Sequence, residues 1–172
     1  AIIGFKPELK EMIYPISVSK AKGAYIEDVN GREYIDITMG FGVTLFGHAP
    51  DFVQEALEHA LARGAPVGPM SPLAGEVAER ICRMTGVERT SFFSTGTEAI
   101  MAGIRIARMV SGRNRIVVFQ DAYHGSFDGV LAAGGMDNNT PFSFPIAPGT
   151  PQAMVDDVIV LPYGSEKSLA II

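Results

Sequence analysis

Cysteine occurs once in the 172 residues, at Cys82, and tryptophan not at all. A single thiol excludes a disulfide framework and a paired-thiolate metal site. Histidine is almost as sparse: His48, His59 and His124 are dispersed along the chain, which gives no convergent set of metal ligands. Basic residues are few, with Lys and Arg totalling 14 against 19 Asp and Glu, and they form no run. A nucleic-acid-binding face needs concentrated positive charge, and a net charge of -5 without a basic cluster argues against one. No apolar stretch approaches the roughly 20 residues of a membrane-spanning helix. The first residues also lack the basic-then-apolar pattern of a secretory signal. The expectation is a cytoplasmic protein with neither a nucleic-acid nor a membrane partner.

What is present is apolar. Hydrophobic residues make up 47% of the chain and charged residues 19%, enough to offset the ordering entropy of folding. The length fits one domain or part of a larger one. The chain opens on Ala1-Ile2-Ile3 and stops within the apolar run Leu169-Ala170-Ile171-Ile172. Domains tend to end in polar tails, so the expectation is a piece of a longer protein. Expressed alone, it is expected to be insoluble or oligomeric.

Residues 1–23 yield no clear element, since Pro7 and Pro15 interrupt any long helix. Two β-favouring segments, Ala24 to Val29 and Arg32 to Ile37, flank Asn30-Gly31 and predict a hairpin whose two central turn residues both have positive φ. A glycine-rich loop, Met39 to His48, follows. Asp51 is placed to cap a helix with Val53, Ala56, Leu57, Ala60 and Leu61 on one face, ending near Gly64. A second helix is expected from Pro72 to Thr85, carrying Cys82 on its apolar side, with Gly86 beyond its end. Thr90 to Ser94 reads as a short buried strand. Thr97 to Val110 reads as a helix with Ile100, Gly103, Ile104 and Ala107 inward, closed by Gly112. Arg115 to Phe119 is a strand, residues 134–152 read as a loop without periodicity, and Val158 to Tyr163 is again a strand. Ser165 is placed to cap a final helix. Strand, helix, strand, loop and strand in this order predict an α/β fold with a mainly parallel sheet covered by helices on both faces.

Chemistry is expected in two loops. In Phe92-Phe93-Ser94-Thr95-Gly96-Thr97-Glu98-Ala99 a strand delivers small residues onto a helix start. The first amides of a helix have no intrahelical acceptor and lie in the positive field of its dipole. A phosphate dianion fits there, with the Thr95 and Thr97 hydroxyls as donors and Gly96 permitting close approach. The same octet reads equally as an ordinary N-cap, and the residues by themselves leave both open. It is neither a nucleoside-triphosphate P-loop nor the dinucleotide fingerprint. The second loop, Gln120-Asp121-Ala122-Tyr123-His124-Gly125, begins where a strand ends, the edge at which open α/β sheets bind ligands. Tyr123 there can lay its ring on a flat heterocycle or pack on its own domain. No nucleophile elbow surrounds any Ser.

Together these stretches resemble the class III aminotransferases, pyridoxal-phosphate enzymes of the aspartate-aminotransferase fold. The resemblance rests on Ser94-Thr95-Gly96-Thr97-Glu98-Ala99 and on Asp121-Ala122-Tyr123-His124-Gly125, one helix and one strand later. It extends to Asp28-Val29-Asn30-Gly31-Arg32-Glu33-Tyr34-Ile35-Asp36 and to Gly47-His48-Ala49. Within that family the text is most similar to glutamate-1-semialdehyde aminomutases. Its Gly40-to-His48 loop resembles aminotransferase domains embedded in polyketide and nonribosomal-peptide synthases. Where the family usually has Ser-Gly-Thr-Glu, this chain has Thr95 in the Ser position, which keeps the hydroxyl.

The resemblance implies the N-terminal part of a fold type I large domain. Residues 1–47 would form an N-terminal segment with a hairpin, and 48–172 an incomplete cofactor-binding domain. It implies that Thr95, Gly96 and Thr97 hold the phosphate of pyridoxal 5'-phosphate, that Tyr123 stacks on its ring, and that His124 and Gly125 shape that wall. Glu98 would be structural, and Phe41 to Phe46 would face the substrate or the partner subunit of a homodimer. The Schiff-base lysine of the family lies further downstream. The five lysines here, Lys6, Lys10, Lys20, Lys22 and Lys167, do not match its position, so the chain by itself is expected to be inactive. The complete protein is expected to move an amino group from an amino acid onto a carbonyl, with a carrier-bound β-keto acyl chain as one acceptor. The alternatives are an aminomutase acting on a small semialdehyde and a non-catalytic phosphate-binding or dimerisation module.

Overall fold

A computed structural model describes residues 15–64, 70–137 and 140–172. The chain forms two compact units, Ala1–Pro72 and Leu73–Ile172.

In the first unit, β1 (Val18–Lys22), β2 (Tyr25–Asp28) and β3 (Glu33–Ile35) form an antiparallel meander. β1 lies where the sequence suggested no element. Its text, Val-Ser-Lys-Ala-Lys, has no apolar alternation and is held by backbone pairing to β2, with an irregularity between Val18 and Lys20. The β2–β3 hairpin falls where predicted, but its turn differs. Only Gly31 takes a positive φ, 77°. The loop has three residues, closed by the Asp28 amide donating to the Arg32 carbonyl at 2.9 Å, the arrangement in which a single left-handed residue suffices. The nearly buried Asp28 carboxylate selects it by accepting the amides of Asn30 and Arg32 and the Tyr34 hydroxyl. These bonds, led by that of the Arg32 amide, hold the Asp28 pKa below the usual carboxylate value against the opposing effect of burial.

The glycine-rich segment turns tightly at Met39–Gly42, where four successive residues have positive φ, including the non-glycine Met39 and Phe41. A side-chain hydrogen bond spans its base: His48 Nε2 lies 2.7 Å from Asp36 Oδ2, while Asp36 Oδ1 accepts the amides of Thr38 and Met39. His48 and Gly23 also exchange backbone hydrogen bonds. The Met39 amide, followed by His48, lowers the Asp36 pKa. A depressed carboxylate pKa stabilises the fold above the unfolded-state value of 3.8, and the contribution is lost as pH falls through the folded-state value. Asp36→Asn should therefore flatten the acid limb of the stability curve below about pH 4. Urea melts of the full protein at a series of pH values measure this.

Helix α1 (Asp51–Ala62) follows Pro50, which occupies the N-cap position, so Asp51 is the first helical residue instead of the cap. His59 is exposed.

In the second unit, α2 (Pro72–Thr85) and α3 (Gly96–Ser111) match the expected helices, and Gly86 and Gly112 close them by donating to Cys82 and Arg108 carbonyls. Strands β4 (Ile116–Phe119) and β7 (Val158–Leu161) pair in parallel, Ile116 opposite Val158 and Phe119 opposite Leu161. The core gathers here: Val118, Val155, Val158 and Val160 are buried together, with Ile116 and Ala132 against them. Within the span read as an irregular loop, the structure instead forms a hairpin, β5 (Ala132–Asp137) and β6 (Thr140–Pro145). The final helix α4 (Glu166–Leu169) follows Ser165, whose side chain makes no capping bond.

Two expectations of burial fail. Residues 90–94 are in no strand, and Phe92 and Phe93 are 49% and 48% exposed. The stripes of α2 and α3 are likewise open at Leu73, Val77 and Ile100. The described residues supply no layer to cover them. Expressed alone, residues 1–172 should therefore self-associate; a light-scattering mass above the monomer's is the expected reading.

Candidate functional site

The start of α3 is fixed by a reciprocal cap. Thr95 Oγ1 accepts the Glu98 amide at 3.2 Å, and Glu98 Oε2 accepts the Thr95 amide at 2.9 Å and its hydroxyl at 3.2 Å. This capping box satisfies the third amide of the helix and assigns Glu98 a structural task. It also turns the Thr95 hydroxyl toward Glu98. The amides of Gly96 and Thr97 are left as open donors in the first turn, where the helix dipole is positive. Beyond its chain neighbours and the backbone of its own helix, a methyl group built on Gly96 would meet nothing within 4 Å. Gly96 does not have the positive φ that would require glycine.

The second loop leaves the carboxyl end of β4. The Gln120 amide donates to Leu161, extending the parallel ladder by one bond. Asp121 then adopts a left-handed φ of 61°, uncommon for a residue with a side chain. Tyr123 follows, 71% exposed. His124 lines a cavity of about 320 Å³ with Ile100, Ile104, Val118 and Val130, and its Nε2 is buried without a hydrogen-bond partner. Gly125 is buried at φ 106°.

The two loops meet. The Ser126 amide donates to Thr97 Oγ1 at 3.2 Å, joining positions 29 residues apart. A Cβ on Gly125 would lie 2.7 Å from Thr97 Oγ1 and 3.0 Å from Thr97 Cα, so the loop backbone rests directly on Thr97. Thr97, Gly125 and Ser126 thus converge in the first turn of α3. Ser126 was not singled out from the sequence; its contribution is a backbone amide, which residue type cannot reveal. A cavity of about 590 Å³ lies elsewhere, between α2 and residues 88–90. Cys82 there is half-buried, with Sγ 3.3 Å from Thr90 Oγ1.

Open amides at the start of α3, with clearance over Gly96, can accept an anionic group. The sequence profile of the Aminotransferase class-III family matches residues 6–172, and the chain belongs to this pyridoxal-phosphate-dependent family. It is 38% identical over 156 residues to glutamate-1-semialdehyde 2,1-aminomutase of Thermomicrobium roseum, covering 90% of this chain and 36% of that protein. The aminomutase of Thermodesulfovibrio yellowstonii is 38% identical over 150 residues, covering 87% and 35%. Among solved structures, an omega-transaminase from Sphaerobacter thermophilus superposes with a TM-score of 0.79 at 32% identity, over 87% of this chain and 35% of its own. A transaminase with pyridoxal phosphate bound gives 0.81 at 31% identity, over 92% and 37%. The chain spans little more than a third of the length of these relatives. Its fold is the N-terminal part of the fold type I large domain, with the parallel sheet represented among the described residues by β4 and β7. No helix among them is long and apolar enough to cross a membrane.

Proposed function

We propose that residues 94–126 form the phosphate and ring site of an aminotransferase that moves an amino group from an amino acid onto a carbonyl acceptor. The junction of the two loops through Thr97 and Ser126 carries this reading. The Gly96 and Thr97 amides would bind the phosphate dianion. The Thr97 hydroxyl, accepting from Ser126, keeps its own proton to donate to a phosphate oxygen. Thr95 would act through the cap that fixes these amides. Tyr123 would stack on the pyridine ring, with His124 and Gly125 behind it. Bound pyridoxal phosphate supplies an electron sink for charge at the amino-bearing carbon. The residues of this chain bind and orient it; the proton-transferring lysine would belong to another part of the protein.

On this reading 1–47 is an N-terminal segment, 48–172 is an incomplete cofactor domain, and the chain alone is inactive. The working unit is a cytoplasmic homodimer with the Phe41-to-Phe46 loop toward substrate or partner. Similarity of the Gly40-to-His48 loop to synthase-embedded domains supports a carrier-bound β-keto acyl acceptor and thus an acyl carrier partner. The identity to glutamate-1-semialdehyde aminomutases supports a second reading, an aminomutase acting on a small semialdehyde. Offering both acceptors to the complete protein separates them: aminated carrier-bound product supports the first, and isomerised semialdehyde the second.

Gly96→Ala tests the pocket itself. The new methyl meets nothing beyond its own helix and Ala favours helix, so thermal stability should be retained or raised. Pyridoxal-phosphate affinity should fall at least ~10-fold, about 1.4 kcal/mol. Unchanged affinity, or borohydride fixation of the cofactor on Lys20, Lys22 or Lys167, would overturn the reading.

A further inference from the structure

We infer that Thr97 is a positioning residue that couples phosphate binding to the placement of the Tyr123 ring, an inference that rests on the cofactor reading above. Thr97 faces two ways. Its amide lies in the open first turn of α3, whereas its hydroxyl oxygen accepts the Ser126 amide at 3.2 Å and keeps a proton to donate. The Tyr123 segment is anchored at both ends: on the sheet, where the Gln120 amide donates to Leu161, and on α3, where Ser126 meets Thr97. Between these anchors lie only five residues, with left-handed turns at Asp121 and Gly125. So short a span gives the ring little freedom while both anchors hold. The contact at Gly125, where no Cβ fits over Thr97, keeps the second anchor close. An anion that draws on the Thr97 hydroxyl polarises the oxygen accepting from Ser126, strengthening that anchor. Ring and phosphate are therefore bound cooperatively through one side chain.

Pyridoxal, which lacks the phosphate, separates this role from simple phosphate contact. In the complete protein, Thr97→Val removes the acceptor while conserving shape, Thr97→Ala guards against a misfit, and Thr97→Ser restores the hydroxyl. We expect Val and Ala to weaken both pyridoxal phosphate and pyridoxal, the latter about 10-fold, and to diminish the induced circular dichroism of the bound ring. Hydrogen exchange at 123–126 in the cofactor-free protein should quicken in the same two variants, with Ser close to wild type throughout. Loss confined to pyridoxal phosphate, with pyridoxal affinity and exchange unchanged, would reduce Thr97 to a phosphate contact and overturn the inference. If wild-type protein bound neither compound, the cofactor reading would fall, and the exchange measurement would still decide whether Thr97 anchors the loop.

Discussion

Gly125→Ala is expected to lower the affinity of the complete protein for pyridoxal 5'-phosphate by about 100-fold, or about 2.7 kcal/mol. Two costs combine. A φ of 106° lies where residues with a Cβ are strained, at about 1–3 kcal/mol. The methyl would also come within 2.7 Å of Thr97 Oγ1 and 3.0 Å of its Cα, so a rotation of the Thr97 side chain alone cannot relieve it. The loop must lift from α3, which breaks the Ser126 bond and, on the proposed cofactor reading, displaces the Tyr123 ring. Gly149→Ala is the control: φ is 94° there, yet nothing lies within 4 Å of the added methyl. It should cost some stability and leave cofactor affinity unchanged. Fluorimetric titration with pyridoxal phosphate reads the difference, and equal affinities in the two variants would refute the close packing of the loops.

The contrast between these glycines marks what the sequence reveals and what it conceals. α2 and α3 were legible because apolar periodicity and a terminal glycine coincide in a single stretch of text. Thr95-Gly96-Thr97-Glu98 was readable locally as an N-cap, whereas the reciprocal Glu98 bond that makes it a capping box emerged only in the structure. β4 and β7 were legible as apolar β-branched runs. The β5–β6 hairpin was not, because Ala-Ala-Gly-Gly-Met-Asp lacks strand-favouring side chains, and Pro141 and Pro145 demote the segment that pairs with it. The converse error, at 90–94, came from residues that favour a buried strand but find no pairing among the described residues. At the site, the residue types of both loops were readable, but their meeting was not. It depends on one hydroxyl and one backbone amide brought together by the tertiary fold.

Gly134→Ala should be the most damaging substitution for stability, at about 3 kcal/mol. Gly134 pairs with Ser143 in the hairpin. A Cβ there would overlap the Phe142 carbonyl oxygen and lie 3.1 Å from Val160 Cβ. The first obstacle is backbone, which cannot swing aside as a side chain does. The second belongs to a buried residue of the core cluster. Relief requires β5 to separate from β6 or from β7, and β6 is itself tied to the core segment by Ser143 Oγ donating to the Val155 carbonyl at 2.9 Å. Gly135 is the natural comparison, since its added methyl would meet only Phe142 ring atoms at 3.4 and 3.5 Å. That ring lies on the exposed face of β6 and can turn away, so Gly135→Ala should stay within about 1 kcal/mol of wild type. Urea melts of the two variants of the complete protein measure the gap. Coincident midpoints would mean that the hairpin does not pack on Val160, and that close backbone approach is not the reason a glycine stands in this strand.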